Sequence, residues 1–215
     1  MSYSYNKCIS LGLNCEVSFQ VQRSMKNFES YFLSWAFLYS FEGLLKVLAE
    51  MEKIFNCDLE PHGTNMFLIK EYSIAFHGKA NIDSIRLSNG KLDEVMLKDV
   101  KDELISRQLY LADKFRKTLN SGEKILLIIK PNPGIVDVTA FEVKNYSLQI
   151  RELLSNKYPN SDFDLLVLQE EQHFETDWNE PRIFNRYISK FAPIPKANEA
   201  DVESWNKIFS EFKCI

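Results

Sequence analysis

Two short apolar runs, Lys124-Ile-Leu-Leu-Ile-Ile-Lys130 and Phe163-Asp-Leu-Leu-Val-Leu-Gln169, decide the fold class of this 215-residue chain. Continuous apolar runs of this length are typical of strands that are buried on both faces of a sheet. A helical pattern over roughly 140–156 separates them, and a strand, a crossover helix and a second strand form a right-handed parallel unit. The sequence therefore predicts an α/β fold in which helices cover a central parallel or mixed sheet.

Further elements fit around this sheet. Lys7–Gly12 has the pattern of a first strand closed by glycine, and residues 182–191 alternate like another strand. Apolar residues at helical spacing predict helices over 41–55 and around 100–119. A last helix near the C-terminus has Asn198 as its expected N-cap. No linker or internal repeat interrupts the pattern, so we expect one domain over residues 1–215.

The composition narrows the class of protein. Hydrophobic residues make up 45 % of the chain and charged residues 26 %, as in an ordinary globular protein. The formal net charge is −4 and no basic face stands out, so nucleic acid is not an expected partner. No apolar run is long enough to span a bilayer, and the N-terminus lacks the apolar region of a signal peptide. We therefore expect a cytoplasmic protein without a membrane span, whose oligomeric state the sequence leaves open.

The cysteine spacing does not predict a metal site. The chain has four cysteines, which are Cys8, Cys15, Cys57 and Cys214. Their spacing matches no zinc-binding pattern, so we expect free thiols, no metal and no cofactor. Cys8 lies within the first apolar strand and Cys214 at the end of the chain, so both are expected to have structural roles.

Cys15 is the residue with the strongest chemical signal. It follows the glycine that ends the first strand, and Asn14 is the expected N-cap of a helix that begins at Cys15. Apolar and polar residues alternate over 15–22, which is a strand signal, but the residue types over 16–25 favour a helix. At a helix N-terminus the dipole favours a thiolate, and free backbone amides there are able to receive an oxyanion.

Several polar side chains are expected near Cys15. Ligands of open α/β sheets bind at the carboxyl ends of the strands, where Asn14, Lys130 and Asn132 all follow predicted strands. We expect these residues to bind a small-molecule or glycan substrate. Arg23 lies about 12 Å farther along the predicted helix and is expected to hold a distant anionic group or a buried carboxylate.

A catalytic cysteine needs a base, and the candidates are His62, His77 and His173. His77 ends an apolar extended stretch that is able to hold its ring rigidly, whereas the other two lie in polar loops. The sequence therefore predicts that His77 lies beside Cys15.

Aromatic residues are dense over 30–41 and include Tyr31, Phe32, Trp35 and Phe37. Such side chains line substrate grooves and also fill protein cores. The sequence favours the core, and a substrate-binding role for Trp35 stays open.

The stretch Ile9-Ser-Leu-Gly-Leu-Asn-Cys-Glu-Val-Ser-Phe-Gln-Val-Gln-Arg23 resembles a bacterial family of unknown function described as papain-like cysteine peptidases. That family has Ser-Leu-Gly-x-Asn-Cys-Glu, followed by an arginine about eight residues after the cysteine. Looser similarity covers the rest of the chain, through Ser30–Trp35, Phe76–Gly78, Lys124–Lys130 and Asp201–Trp205.

The resemblance implies that Cys15 is a nucleophile with His77 as its partner, and it offers an α+β papain-like fold as the alternative architecture. Two positions depart from the family pattern, because Ser34 and Gly78 stand where the family tends to have acids. Either acid is a candidate to orient the histidine, so their replacement puts full activity in doubt. Ser34 remains a candidate substrate-binding residue.

Three functions are compatible with this site. The first is a cysteine-dependent hydrolase or acyl transferase that uses Cys15 and His77. The second is a transferase of surface-glycan biosynthesis that uses the same cleft. The third is a non-catalytic binding protein, and the absence of acids at positions 34 and 78 agrees with this function.

Overall fold

The computed structural model describes residues 2–131, 139–173 and 177–215, with the side chain of residue 173 excepted. Within these ranges the strands, in chain order, are β1 Tyr3–Tyr5, β2 Lys7–Ser10, β3 Ala36–Leu38, β4 Glu60–His62, β5 Met66–Ile69, β6 Ile74–His77, β7 Lys124–Ile129, β8 Asp162–Glu170, β9 Ile183–Ile188 and β10 Phe212–Cys214. The α-helices are α1 Glu16–Met25, α2 Phe41–Ala49, α3 Glu94–Leu119, α4 Ala140–Lys157 and α5 Val202–Phe209. None of these helices combines the length and the apolar character needed to span a bilayer.

The central sheet is parallel, with the strand order β2-β7-β8-β9. Helix α4 crosses over between β7 and β8, as the two apolar runs predict. In β7, Ile125 and Leu127 pack into one core cluster, whereas Leu126 and Ile128 pack into a second cluster on the other face. Both faces of the strand are thus removed from water, which explains why its sequence is apolar without alternation. The predicted α/β fold with a central sheet covered by helices is confirmed.

A second, antiparallel sheet has the strand order β3-β6-β5-β4. Its pleat separates two sets of side chains, because successive residues of a strand point to opposite faces. Ile74 and Phe76 point into the main core cluster, together with Phe67. His77 lies on the opposite face, where Met66 is its register partner. This sheet places His77 at the site described below.

Two helix starts differ from the sequence-based predictions. Helix α1 has Cys15 at its N-cap position, and Asn14 instead accepts a hydrogen bond from the Glu16 amide at 3.0 Å. Helix α5 is capped by Asp201, whose carboxylate accepts from the Ser204 amide, and not by the predicted Asn198. An aspartate carboxylate is a strong N-cap acceptor, and its position three residues later shortens the helix accordingly.

The helix predicted over 41–55 ends at Ala49. The backbone leaves helical geometry at Glu50, and a short 3₁₀ turn follows at Ile54–Asn56. Met51 and Ile54 are nevertheless buried in the main core cluster. Their apolar spacing therefore indicates that these residues are buried, and it does not show that the helix continues through them.

Candidate active site

A tight turn after β2 delivers Cys15 to the molecular surface. Gly12 has φ = +85° and Leu13 has φ = +69°, so the chain turns through two left-handed residues. A Cβ atom at Gly12 would lie 2.9 Å from Leu38 Cδ1, so both its φ angle and this close packing favour glycine. The Asn14 side chain satisfies the Glu16 amide at the start of α1, and Cys15 makes no capping bond. Its sulfur is therefore not engaged with the helix.

Strand β6 delivers His77 to the same place. The structure puts Cys15 Sγ 3.7 Å from His77 Nε2, within hydrogen-bonding distance for sulfur. The Arg107 guanidinium, on helix α3, donates a hydrogen bond to the His77 carbonyl oxygen and so fixes the end of the strand. The two residues that the sequence singles out, 62 positions apart, thus lie together.

Both side chains line a cavity of about 580 Å³, a volume typical of small-molecule sites. One wall comes from α1 and the turn before it, and a second from the outer face of the antiparallel sheet. The third wall is the segment 194–198 that precedes α5. The residues that line the cavity are Asn14, Cys15, Phe19, Trp35, Phe37, Tyr39, Met66, His77, Ile194, Pro195, Ala197 and Asn198.

The electrostatics of the pair differ from the expectation of a stabilised thiolate. Burial raises the pKa of the Cys15 thiol to about 11. Burial also lowers the pKa of His77, and the positive charge of Arg107 lowers it further. Loss of solvation disfavours the charged form of each group. At neutral pH the pair is therefore a thiol and a neutral imidazole.

The aromatic stretch divides between core and cavity. Tyr31 and Phe32 are fully buried in the main core cluster, as predicted. Trp35 and Phe37 instead line the cavity, and Trp35 packs edge-on against Phe19 with ring centroids 5.1 Å apart. Trp35 therefore lines a cavity, as a substrate-binding role requires.

Ser34 does not line the cavity. Its hydroxyl oxygen accepts a hydrogen bond from the Tyr31 amide at 2.9 Å, and its carbonyl oxygen accepts one from the Ser18 hydroxyl. The side chain is buried and stabilises the turn before β3. The sequence predicts that Ser34 binds substrate, whereas in the structure this hydroxyl is used within the fold.

Lys130 also lies away from the cavity, contrary to the prediction. It is fully buried, with its Nζ 3.0 Å from Glu16 Oε2 and 4.2 Å from the centroid of the Phe191 ring. Burial lowers the pKa of Lys130, and the Glu16 carboxylate opposes this effect. The lysine emerges at the end of β7 but points towards the first turn of α1 because that carboxylate neutralises it there. Asn132, predicted beside it, lies outside the described residues.

Glu16 connects the cysteine helix to the last part of the chain. Its Oε1 accepts hydrogen bonds from the Ala192 amide at 3.2 Å and from Trp205 Nε1 at 3.3 Å. Arg23 makes a second connection, since its Nη2 donates to the Asn198 carbonyl oxygen at 2.6 Å. The sequence predicts that Arg23 holds a distant anionic group or a buried carboxylate; in the structure Arg23 is exposed and bonds instead to the backbone of Asn198, which lines the cavity.

Close packing explains why position 78 is a glycine. A Cβ atom there would lie 2.8 Å from Cε2 of the buried Phe67 ring. The acid that the family tends to have after the histidine does not fit here unless Phe67 moves.

Sequence reasoning missed three features of this site. Arg107 lies among many charged residues of α3, and nothing in its spacing marks it. Tyr39 lines the cavity and its hydroxyl lies 2.7 Å from His62 Nε2, which gives the second histidine a structural partner. The segment 194–198 carries no sequence signal of its own, apart from Asn198 as the expected N-cap of the last helix.

In the part of the chain that the structure describes, no cluster of three or more His, Cys, Asp or Glu side chains is placed to hold a metal ion. Comparison with models of protein families, with curated proteins and with solved structures gives no match.

Proposed function

We propose that this protein is a cysteine-dependent hydrolase or acyl transferase, with Cys15 as the nucleophile and His77 as the general base. The observation that carries the proposal is the 3.7 Å contact between Cys15 Sγ and His77 Nε2 at the wall of a 580 Å³ cavity. A thiol beside an imidazole, both facing an accessible pocket, is the minimal arrangement for covalent acyl transfer.

The pKa values determine how this pair works. Since both groups are neutral at rest, the thiol is activated only when the reaction begins. His77 Nε2 takes the Cys15 proton as the sulfur attacks the carbonyl carbon of an ester or thioester. The same proton then passes to the leaving oxygen or sulfur, and a Cys15 thioester remains. Water or an acceptor hydroxyl next attacks this thioester while His77 again serves as base, and the thiol is regenerated.

The cavity lining favours this function over a glycan transferase that binds a sugar nucleotide. Among the described residues that line the cavity, none has a charged side chain at neutral pH. Lys130 is paired with Glu16, and Arg23 bonds to a backbone carbonyl. A diphosphate would therefore meet no cation among these described lining residues, and its entry would cost much desolvation energy. Transfer of an acyl group to a glycan hydroxyl remains within the proposed reaction.

The resemblance to papain-like cysteine peptidases supports the same pair of residues. All four cysteines are free thiols. Free thiols suit the reducing cytoplasm, where we propose that the protein works.

Trapping of an acyl-enzyme tests the proposal. The protein is mixed with S-butanoyl-N-acetylcysteamine, quenched in acid and measured by intact-protein mass spectrometry, and peptides then locate the adduct. We expect one butanoyl group, located on Cys15. Turnover should fall about 10²- to 10⁴-fold in His77→Gln, which removes the base. Products formed with and without glucose as an acceptor separate transfer from hydrolysis.

Cys57→Ala is the matched control, because Cys57 is a free thiol that does not line the cavity. It should be acylated and turn over like the unaltered protein. If no acyl group reaches Cys15, or if His77→Gln turns over at the full rate, the catalytic pair is wrong and a binding protein becomes the better description.

A further inference from the structure

The walls around the Cys15–His77 pair have a chemical character of their own. Seven of the twelve lining residues have apolar side chains. Phe37 and Met66 come from the outer face of the antiparallel sheet, and Phe19 and Trp35 pack edge to face beside them. Ile194 lies across the cavity on the segment before α5. A ligand that enters is thus surrounded mainly by aromatic rings and alkyl groups.

The polar groups of the described lining are few, and those of Asn14 and Tyr39 already have partners. Asn198 is exposed, and its backbone carbonyl oxygen accepts a hydrogen bond from Arg23. Asn14 Oδ1 accepts from the Glu16 amide, and the Tyr39 hydroxyl lies 2.7 Å from His62 Nε2. His77 Nε2 faces Cys15 Sγ. Apart from the reacting pair, the pocket therefore offers little to a polar or charged substituent, which would lose its hydration on entry.

We infer that the acyl group transferred by Cys15 has an apolar alkyl chain longer than acetyl, and that the cavity selects this chain. The inference rests on the proposed function and names its substrate class. The chain fills the space between the sheet face and segment 194–198 while its carbonyl carbon lies beside Cys15 Sγ. A peptide substrate is the less favoured occupant, because its backbone amides would need partners that these apolar walls do not supply.

The size of the effect follows from burial. Each methylene that leaves water for an apolar pocket favours binding about fourfold. The kcat/KM for S-acyl-N-acetylcysteamine substrates should therefore rise about 15-fold from acetyl to butanoyl and about 200-fold from acetyl to hexanoyl. It should level off when the chain reaches the end of the cavity.

Ala197→Phe tests the location, because it adds a ring to a residue that lines the cavity. We expect the ratio of kcat/KM for the hexanoyl substrate to kcat/KM for the acetyl substrate to fall towards one in this variant. Lys196→Phe is the matched control: it adds the same ring to the neighbouring residue, which is exposed and does not line the cavity. The control should keep the full dependence on chain length.

A binding measurement keeps the inference separate from the chemistry. Calorimetry with Cys15→Ala, which cannot be acylated at this position, should show tighter binding of the octanoyl thioester than of the acetyl thioester. If Cys15 is acylated equally well by all chain lengths, or if peptide amides are cleaved faster than any thioester, the inference is wrong although the cysteine chemistry stands. If no thioester acylates Cys15, the proposed function is wrong, and equal binding of the two thioesters would then overturn the inference as well.

Discussion

The rate of Cys15 alkylation tests whether the resting site is a thiol or a thiolate. Burial moves the pKa of Cys15 from its ordinary value of 9.0 to about 11. At pH 7 the thiolate is then roughly one part in 10,000, about 100-fold less than for a free thiol of pKa 9. A more basic thiolate is also more nucleophilic, which recovers up to about tenfold of the rate. We therefore expect iodoacetamide to alkylate Cys15 about 10- to 100-fold more slowly than glutathione in the same tube.

The pH profile gives the sharper measurement. Peptide mass spectrometry follows each cysteine separately, so the unaltered protein is used from pH 6 to pH 10.5. The Cys15 rate should rise about tenfold for each pH unit and show no plateau below pH 10. His77→Gln should likewise show no plateau below pH 10, because a neutral imidazole does not stabilise a thiolate. A plateau with a midpoint below pH 8, abolished in His77→Gln, would refute the neutral pair and indicate a thiolate beside an imidazolium.

Three further predictions concern residues around the pair. The acid limb of the pH profile of kcat/KM should have its midpoint below pH 6.5, because burial and Arg107 lower the pKa of His77 and the rate rises as His77 loses its proton. Arg107→Met should move this midpoint to higher pH, and an unchanged midpoint would show that the guanidinium charge does not act on His77. Glu16→Gln removes the carboxylate that contacts the buried Lys130 ammonium and leaves Glu170 as the other charge that stabilises it, so it should cost about 3–5 kcal/mol in urea unfolding. Adding Lys130→Met should recover most of this loss, and equal stability of the single and double variants would contradict the pairing. Gly78→Ala should cost about 1–3 kcal/mol because its Cβ meets a buried ring, and an unchanged unfolding midpoint would remove the packing reason for glycine.

Hydrophobic pattern was sufficient for the central sheet. The runs in β7 and β8 are too apolar for a surface strand, and their spacing leaves room for the crossover helix. The same kind of local signal predicted the turn at Gly12 and drew attention to Cys15. These features depend on near neighbours in the chain, so the sequence carries them directly.

Side-chain direction and solvation were decided only in three dimensions. Lys130 follows a strand as a substrate-binding residue would, yet it points to Glu16, whose carboxylate lies more than a hundred residues earlier in the chain. Helix position alone predicted a lowered pKa for the Cys15 thiol, whereas burial raises it. A pKa depends on how much water the whole fold removes from a group, and residue order does not encode that quantity locally.

The sequence by itself determined the central sheet covered by helices, the position of Cys15 after the first strand and the candidacy of His77 at the end of an extended stretch. Only the tertiary structure decided that the sulfur and the ring meet at 3.7 Å, because an antiparallel sheet folded from residues 36–77 has to pack beside α1 for this contact to form. It also decided that segment 194–198 lines the pocket, since Arg23 of the cysteine helix bonds to Asn198 in this segment and Glu16 bonds to Ala192 just before it. Contacts between parts of the chain this far apart arise from the packing of whole elements, and no local pattern of residues specifies them.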